Sequence, residues 1–395
     1  MATPPEALQV QFVGSSSQIE DSVWDQCFPE PLEGRFWYET LEESGLEGQF
    51  EFHYAVVKRD GRTVAVAPCF VHNVPVALVA PRPVALVLGL LARVFPRVGY
   101  QRTLFVGSPC SDEGTIGLAG GAALADVLPA LAPALQEKAA LVAAPMLVFK
   151  DFPEGSLAGL GHLGSRGFFP MVSFPGTLLK VRGPDMEAYL LSLSGMQRHN
   201  LRKKLKRSKA LLALDTRIVQ EPGDTELAEI HGLFVQTYLK GRTKFERLDL
   251  RFFQAIRKHQ QAHFILQRDR ATGALVAFML VLRVGDRMIN KFIGMDYGRA
   301  GQTYLYFRLF EAAVGFAHQV GAAELQSGQT GYRAKLDLGH GLVPLTNLVR
   351  HRNPVVHALF RAIGSRVTWS DLDEDLKVYL RAHPEEAHRA PRLLP

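Results

Sequence analysis

At 395 residues the chain is longer than one hydrophobic core usually supports, so its length predicts two domains. Hydrophobic residues make up 47% and charged residues 21%, which is ordinary for a globular protein and excludes a low-complexity chain. The formal net charge of +6 indicates anionic partners without identifying them.

The cysteines and the amino terminus limit the compartment. Cys27, Cys69 and Cys110 are widely spaced, odd in number and form no Cys-x-x-Cys pair, so they imply neither a disulfide framework nor a metal site. The amino terminus has no basic start followed by an apolar run, so no signal peptide is expected. A reducing, cytoplasmic location fits these features.

The most apolar window of the chain covers residues 74–95. Prolines and arginines interrupt it, so it lacks the unbroken run of about 20 apolar residues that a membrane span requires. We therefore expect no transmembrane segment. A helix is expected near residues 84–95, and a place in a protein core is favoured over a place on a membrane surface.

Each half of the chain contains a strong hairpin signal. In the first half, residues 52–59 and 62–68 are strand-like and flank Asp60-Gly61, a dipeptide typical of two-residue hairpin turns. The second half repeats the element: residues 263–267 and 274–282 are strand-like and flank a turn that ends at Gly273.

Matched elements surround the two hairpins. Two helical stretches precede each hairpin, and a third strand, a helix and a fourth strand follow it. In the first half these lie at residues 21–28, 35–44, 103–107, 122–141 and 145–150, and in the second half at 225–240, 248–259, 291–294, 303–320 and 323–326. The sequence therefore predicts an α+β fold of two tandem modules, each a mainly antiparallel sheet flanked by helices.

The predicted module boundaries follow from this duplication. We assign residues 1–177 to a first module that carries an apolar insertion near residues 74–100, residues 178–210 to a connecting segment, and residues 211–395 to a second module.

The stretch from Met288 to Lys335 reads as a strand, a glycine-bearing loop, an amphipathic helix, a second strand and a polar loop. Gly298 and Gly301 would allow left-handed dihedrals and a close approach of a ligand to backbone N–H groups. An ordinary β-turn-α unit with a glycine cap is the alternative. The helix stripe is Leu305, Leu309, Ala313, Phe316 and Val320, with Gly321 placed to end it.

A basic helix is predicted between the modules. Seven of the twelve residues from Arg198 to Lys209 are Arg or Lys, and Leu201, Leu205 and Leu212 form a narrow apolar stripe. Negative charge must compensate the repulsion among these cations. It could come from an acidic face of a module or from an external polyanion, and the external partner is slightly favoured. The residues proposed to recruit it are Arg202, Lys203, Lys206 and Arg207.

These features together resemble the Fem-type and related GNAT-like proteins described as peptidoglycan biosynthesis or recognition acyltransferases. The resemblance is carried by the doubled module, by the basic helix, and by the stretches at residues 238–246, 294–297, 328–335 and 349–354. It covers residues 178–363 well and the first half in outline. The 288–335 stretch resembles the unit with which GNAT-superfamily enzymes hold the pyrophosphate of acyl-CoA.

The resemblance implies transfer of an acyl or aminoacyl group to an amine, with a cell-envelope precursor as a candidate acceptor. The donor would be acyl-CoA as a co-substrate, or aminoacyl-tRNA, with no permanently bound cofactor; the lack of a long two-helix arm disfavours tRNA. The basic helix would then contact tRNA or an anionic membrane surface. The donor-binding residues that the resemblance implies are Gly298, Arg299, Gly301, Gln302 and Thr303.

Acyl transfer to an amine requires a deprotonated amine and a polarised carbonyl, but no covalent nucleophile. No Gly-x-Ser-x-Gly, His-Glu-x-x-His or P-loop pattern supports a hydrolase, a zinc protease or a kinase. Tyr332 is a candidate acid or substrate clamp, or a packing residue. Lys335 could neutralise a phosphate or carboxylate, or be a solvated charge. Asp296 could be a base, although capping of the following turn is favoured.

Three further residues are candidate substrate contacts: Lys291, Tyr306 and Gln329. Gln329 could orient a substrate amide or close its own loop, and of Tyr304 and Tyr306 at the helix start we expect one to face the cleft and the other to pack. The alternative to an enzyme is a duplicated fold whose sites have degenerated and whose basic helix binds an anionic polymer or nucleic acid. Binding of acyl-CoA with product formation discriminates between the two.

Overall fold

The structure is a computed structural model that describes residues 8–29, 33–75, 100–241, 246–391 and 393. The helix expected near residues 84–95 and most of the apolar insertion lie outside these residues. Within them, no helix has both the length and the apolar composition needed to cross a bilayer.

The first half of the chain begins with a strand and two helices and continues mainly as strands. Its elements are β1 (Gln9–Val13), α1 (Asp21–Cys27), α2 (Arg35–Glu43), β2 (Glu51–Arg59), β3 (Arg62–Pro75), β4 (Tyr100–Val106), β5 (Gly117–Leu118), α3 (Leu124–Leu141), β6 (Met146–Pro153), α4 (His162–Ser165) and β7 (Phe169–Val172). Short 3-10 turns lie at Ser16–Gln18, Glu154–Ser156 and Ala158–Leu160.

The rest of the chain begins with a strand and two helices, then repeats the order of the first half from β9 onward and adds three helices at its end. Its elements are β8 (Gly176–Lys180), α5 (Met186–Ser192), α6 (Gly195–Leu211), β9 (Leu214–Val219), α7 (Asp224–Lys240), α8 (Leu250–Ile256), β10 (Ala262–Asp269), β11 (Leu275–Val284), β12 (Arg287–Met295), α9 (Tyr297–Thr303), α10 (Leu305–Val320), β13 (Glu324–Gln326), α11 (Tyr332–Asp337), β14 (Gly341–Val343), β15 (Leu345–His351), α12 (Pro354–Gly364), α13 (Trp369–Leu372) and α14 (Glu374–Ala382), followed by a 3-10 turn at Pro384–Glu386.

The structure confirms the predicted duplication. β2 pairs antiparallel with β3, and β10 pairs antiparallel with β11. Asp60 (φ 54°) and Gly61 (φ 76°) are both left-handed, as the first hairpin turn requires. In each half the third strand is antiparallel to the hairpin and parallel to the fourth, with a helix between them.

The repeat that begins at β1 ends with β8, the repeat that begins at β9 ends with β15, and each of these last strands lies in the sheet of the other repeat. One sheet has the order β1-β2-β3-β4-β6-β15-β7, with β5 beside β3, and the other has the order β14-β8-β13-β12-β11-β10-β9. β15, from the end of the chain, therefore lies between β6 and β7 of the first half. β8 lies in the equivalent place between β13 and β14 of the second half.

This exchange corrects the predicted module boundaries. The chain forms two compact units: unit 1 contains residues 1–29, 46–175 and 344–395, and unit 2 contains residues 30–45 and 176–343. The last strand and the helices after it thus belong to unit 1, and the basic helix belongs to unit 2 instead of being a connection. The boundaries move because strand pairing joins residues that are far apart in the sequence, such as Val349 and Val148.

A long helix packs on the sheet of each unit. In unit 1, Leu128, Leu131 and Leu135 of α3 are fully buried against the strands. In unit 2, the predicted stripe of α10 is buried at four positions and Val320 is partly buried. Gly321 (φ 68°) ends α10 as expected.

Candidate functional site

The glycine-bearing segment after β12 is a helix instead of the loop predicted from the sequence. Gly298 and Gly301 both lie within α9, and neither has a positive φ. Asp296 is the N-cap, since its Oδ1 accepts a hydrogen bond from the N–H of Gly298 at 2.9 Å. The carboxylate therefore has the capping role that the sequence favoured, and capping explains why a helix starts at a glycine-rich stretch.

The left-handed residue of this segment is Tyr304, which has a φ of 55° and separates α9 from α10. The end of α9 is closed by the buried Ser208 of α6, whose hydroxyl donates to the carbonyl of Thr303 at 2.5 Å. At the start of α10, the N–H groups of Leu305 and Tyr306 have no hydrogen-bond partner among the described residues. An uncapped helix start of this kind attracts anions.

Two cations of α6 contact this junction. The guanidinium carbon of Arg207 lies 5.8 Å from the centre of the Tyr304 ring, and Nζ of Lys204 lies 4.1 Å from the centre of the Phe307 ring. Lys204 also forms an ion pair with Asp337 at 2.9 Å. The structure therefore brings two separately predicted features, the basic helix and the start of the long helix, to one place.

The other cations of α6 do not share this location. Arg202 pairs with Glu187, and Lys209 pairs with Glu311 at 2.7 Å. Lys203 and Lys206 are exposed and have no ion-pair partner in the described part of the chain. Carboxylates of the protein thus compensate part of the repulsion among these cations. Of the four residues predicted to recruit a polyanion, only Arg207 contacts a described residue of the α9–α10 junction.

The edge of β12 beside this junction is only partly paired. β13 pairs with β12 at Arg287, Met288 and Ile289 alone, although β12 continues to Met295. No other described strand pairs with that edge of β12. The backbone from Asn290 onward can therefore hydrogen-bond with an extended ligand.

A bulge in β12 places Lys291 in the interior. The register against β11 shifts between Asn290 and Phe292, so Lys291 is the extra residue. Its ammonium forms an ion pair with Glu33 and lies 4.4 Å from the centre of the Trp37 ring. With side chains 1% and 5% exposed, this is a buried pair. Lys291, predicted to contact substrate, is thus engaged within unit 2.

A buried polar cluster follows the end of β13. The ammonium of Lys335 and the hydroxyl of Thr177 both donate to the carbonyl of Ser327. Nδ1 of His340 lies 3.0 Å from the carbonyl of Lys335, so it carries the proton, and Nε2 accepts from the Ser327 hydroxyl at 3.2 Å. Burial, with Lys335 nearby, lowers the pKa of His340 to about 3. Lys335 is 7% exposed, so the solvated-charge interpretation is wrong.

The predicted polar loop is also shorter than expected, because α11 begins at Tyr332. Tyr332 is fully buried, which matches the packing interpretation of this residue, and Gln329 is partly exposed in the preceding loop.

Tyr306 has a buried hydroxyl with no hydrogen-bond partner among the described residues, and burial raises its pKa. A buried unpaired phenol is costly, so a ligand that accepts its hydrogen bond would be stabilised.

The remaining predicted donor contacts have different environments. Arg299 forms an ion pair with Asp269 at 2.7 Å. The pKa of Asp269 is lowered mainly by the hydrogen bond from the N–H of Ala271 and next by the hydrogen bond from Arg299. Gly301 and Gln302 are exposed on α9, and Thr303 donates its hydroxyl to the carbonyl of Arg299 at 2.8 Å.

Sequence reasoning missed Lys204, the left-handed conformation of Tyr304 and the Ser327–His340 pair. At 100° per residue, Lys204 and Arg207 lie 60° apart on one flank of the leucine stripe of α6, so a helical wheel could have selected both. The other residues gave no sequence signal, because the left-handed conformation of Tyr304 and the burial of His340 depend on tertiary packing.

Solved structures share this fold. FemX has a TM-score of 0.56 at 13% identity, and the match covers 89% of this chain and 100% of FemX. L-PGS from Bacillus licheniformis has a TM-score of 0.52 at 12% identity, covering 90% of this chain and 99% of that one. A conserved protein of unknown function from Bacteroides thetaiotaomicron VPI-5482 has a TM-score of 0.52 at 11% identity, covering 86% and 99%.

These likenesses confirm the resemblance to Fem-type proteins at the level of the fold, which consists of two GNAT-like modules. The sequence matches no protein-family model and no curated protein.

Proposed function

We propose that this protein is a GNAT-type N-acyltransferase that moves an acyl group from acyl-CoA, or an aminoacyl group from aminoacyl-tRNA, to an amine. A cell-envelope precursor is the proposed kind of acceptor. The observation that carries the proposal is the α9–α10 junction, where two unpaired N–H groups at the start of a 16-residue helix lie beside Arg207 and Lys204. A pyrophosphate bound there gains hydrogen bonds, the favourable end of the helix dipole and two cations.

The partly paired edge of β12 supports the placement of the rest of the donor. The arm that joins the pyrophosphate to the thioester of acyl-CoA contains amide groups. These amides can hydrogen-bond with the open edge of β12 beyond Ile289, as an added strand would. The donor would then run from the α9–α10 junction along β12.

The chemical step would take place at the end of this path that is far from the junction, where β13 ends beside Ile289 of β12. Attack of an amine on the thioester carbonyl forms the carbon–nitrogen bond and breaks the carbon–sulfur bond; the nitrogen loses one proton, and the departing thiolate takes one up. The hydroxyl of Tyr306 is a proposed substrate contact at the junction end of the path, because it is buried without a hydrogen-bond partner among the described residues. Lys335 is proposed to stabilise negative charge on the substrate from its position beside Ser327.

Tyr332 and Asp296 have less direct places in this scheme. Tyr332 is fully buried at the start of α11, so a role as acid or clamp requires that α11 move when substrate binds. Asp296 is used as the cap of α9 and acts by positioning the junction.

Binding and product formation test the proposal in turn. A thermal-shift screen with CoA and several acyl-CoAs should raise the melting temperature of the whole chain, because a ligand that binds only the folded state stabilises it. Mass spectrometry of reactions with a responsive acyl-CoA and a panel of amino-sugar nucleotides and amines should then detect an N-acylated product. Binding without product under every acceptor would favour a degenerate, non-catalytic fold, and no binding of any CoA species would reject acyl-CoA as the donor.

Exposed Lys203 and Lys206 favour a second donor, aminoacyl-tRNA. They lie away from the leucine stripe of α6 and have no acidic partner among the described residues, so they could contact a nucleic-acid backbone. A gel-retardation assay with bulk tRNA, compared between the wild type and the Lys203→Gln/Lys206→Gln variant, separates this donor from acyl-CoA.

A further inference from the structure

One end of the unit 1 sheet has an unusual surface, built on α12. This helix is well formed, since Asn353 caps it through the N–H groups of Val355 (2.9 Å) and Val356 (3.1 Å) and Pro354 occupies its first position. Ten of its eleven residues nevertheless remain at least partly accessible, and Gly364 alone is buried. Exposure of α12 is thus a property of an ordered helix and does not reflect a frayed end.

The two faces of α12 are both apolar. Its inner face packs on the sheet, with the ring of His357 5.1 Å from that of Phe169 and Phe360 stacked on His351. Its outer face presents Val355, which is 76% exposed, and Leu359, which is 54% exposed and one turn further along. A solvent-facing stripe on a surface helix is normally polar, so this outer face lacks the composition expected of a face that only meets water.

Strand registers place two further exposed apolar residues at the same end. Met146 of β6 pairs with Thr103 of β4 and with His351 of β15, so the strand ends next to Tyr100 and α12 lie together. Arg102 donates to the carbonyl of Val142 at 2.8 Å, and the N–H of Arg352 donates to Pro145 at 2.7 Å. Tyr100 (56% exposed) and Leu141 (83% exposed) therefore belong to this end of the sheet.

Cations without acidic partners surround these residues. Arg350, Arg352 and Arg361 form no ion pair with any described residue, and Arg352 and Arg361 are exposed. Burial is the main cause that lowers the pKa of His357, and the charges of Arg350 and Arg361 lower it further, with no carboxylate among the causes. Three arginines at this end of unit 1 thus carry charge that no described carboxylate pairs with, whereas Glu51 pairs with Arg102 and Glu137 is exposed one turn before Leu141.

The charge pattern selects among possible occupants. Apolar side chains that project from a helix between unpaired arginines fit the boundary between the headgroups and acyl chains of an anionic membrane. Pro75 and Tyr100 are paired at this same end, and the sequence between them, residues 76–99, contains no Asp or Glu. We propose that the outer face of α12, with Leu141 and Tyr100, docks unit 1 on an anionic lipid membrane surface.

Vesicle sedimentation tests this surface with the whole chain. The wild type should pellet with phosphatidylcholine vesicles that contain phosphatidylglycerol and bind pure phosphatidylcholine vesicles less. Val355→Ser/Leu359→Ser should lower the apparent affinity about tenfold, because both side chains lose their apolar contact with lipid. Arg352→Gln/Arg361→Gln should reduce the preference for phosphatidylglycerol. Val378→Ser is the matched control, since Val378 is 60% exposed on α14 beside Glu374 and Asp375, and it should bind like the wild type.

Three results would overturn the proposal. The first is that the wild type does not bind the phosphatidylglycerol vesicles, or that Val355→Ser/Leu359→Ser binds them as tightly as the wild type. The second is a change from dimer to monomer on size-exclusion chromatography of Val355→Ser/Leu359→Ser, which would assign the face to a second copy of the chain. The third is a loss of thermal stability in that variant with unchanged vesicle binding, which would show that the chain covers this face itself.

Discussion

The guanidinium carbon of Arg207 lies 5.8 Å from the centre of the Tyr304 ring, and Tyr304 is the left-handed residue where α9 ends and α10 begins. This contact places a cation of the basic helix against the ring of the residue before α10, whose first two N–H groups have no partner among the described residues. Its consequence is a local concentration of positive charge at one helix end, which is the physical basis of the proposed donor site.

The left-handed backbone of Tyr304 predicts an order among substitutions. Tyr304→Val should lower the free energy of unfolding by about 2 kcal/mol, because a β-branched residue is strained at positive φ. Tyr304→Gly should cost less than Tyr304→Val, since glycine adopts this conformation freely and loses only the ring contacts. Chemical denaturation of the two variants measures the difference, and a valine variant as stable as the glycine variant would contradict a left-handed residue here.

The Glu33–Lys291 pair predicts strong coupling in a double-mutant cycle. Lys291→Met should lower the free energy of unfolding by about 3 kcal/mol, because Glu33 would keep a buried charge without its partner. Lys291→Met/Glu33→Gln should recover part of this loss. Additive effects of the two substitutions in urea denaturation would mean that the pair does not act as a unit.

The helical conformation of Gly301 predicts a stabilising substitution. A Cβ atom at Gly301 would meet nothing within 4 Å, and alanine is favoured over glycine inside a helix by about 1 kcal/mol. Gly301→Ala should therefore raise the melting temperature. A lowered melting temperature would indicate the left-handed glycine loop that the sequence first suggested. Gly301→Val, which places a larger side chain on the exposed face of α9, should weaken acyl-CoA binding if the donor crosses that face.

The elements that sequence predicted well are those defined by local signals. The hairpin turn at Asp60-Gly61, the apolar stripe of α10 and its glycine cap all depend on residues close together in the chain. The strand exchange gave no such signal. β15 follows β14 directly in sequence, yet it pairs with strands almost 200 residues earlier, and an alternating apolar pattern does not identify the partner of a strand.

The site was harder to predict because tertiary contacts override local preference there. Two glycines made residues 298–303 look like a loop, but the Asp296 cap at one end and the Ser208 hydroxyl at the other complete the hydrogen bonding of a helix. Lys335 looked like a solvated charge in a polar stretch. It is buried because the carbonyl of Ser327 accepts its hydrogen bond, a partner that becomes available only when α11 folds.

Burial of His340 predicts a stability loss on the acid side. Its pKa is about 3 when folded and about 6.5 when unfolded, so between these values only the unfolded chain binds the proton. The free energy of unfolding should therefore fall as the pH drops below 6.5, by about 1.4 kcal/mol per pH unit from this residue. Urea denaturation between pH 7 and about pH 5 should show a shallower fall for His340→Gln than for the wild type. His199→Gln, at an exposed position of α6, is the control and should keep the wild-type slope.

The most direct test of the proposed donor site is calorimetric titration of CoA into four matched proteins. Lys204→Gln/Arg207→Gln removes two cations from the α9–α10 junction, and Lys203→Gln/Lys206→Gln removes two from elsewhere on the same helix; Tyr306→Phe and the wild type complete the set. We predict that the junction variant binds CoA at least about tenfold more weakly, a loss of about 1.4 kcal/mol, with a flatter salt dependence. The other double variant and Tyr306→Phe should remain within about twofold of the wild type. Equal losses in both double variants, or wild-type affinity in a folded junction variant, would contradict a donor site at the α9–α10 junction.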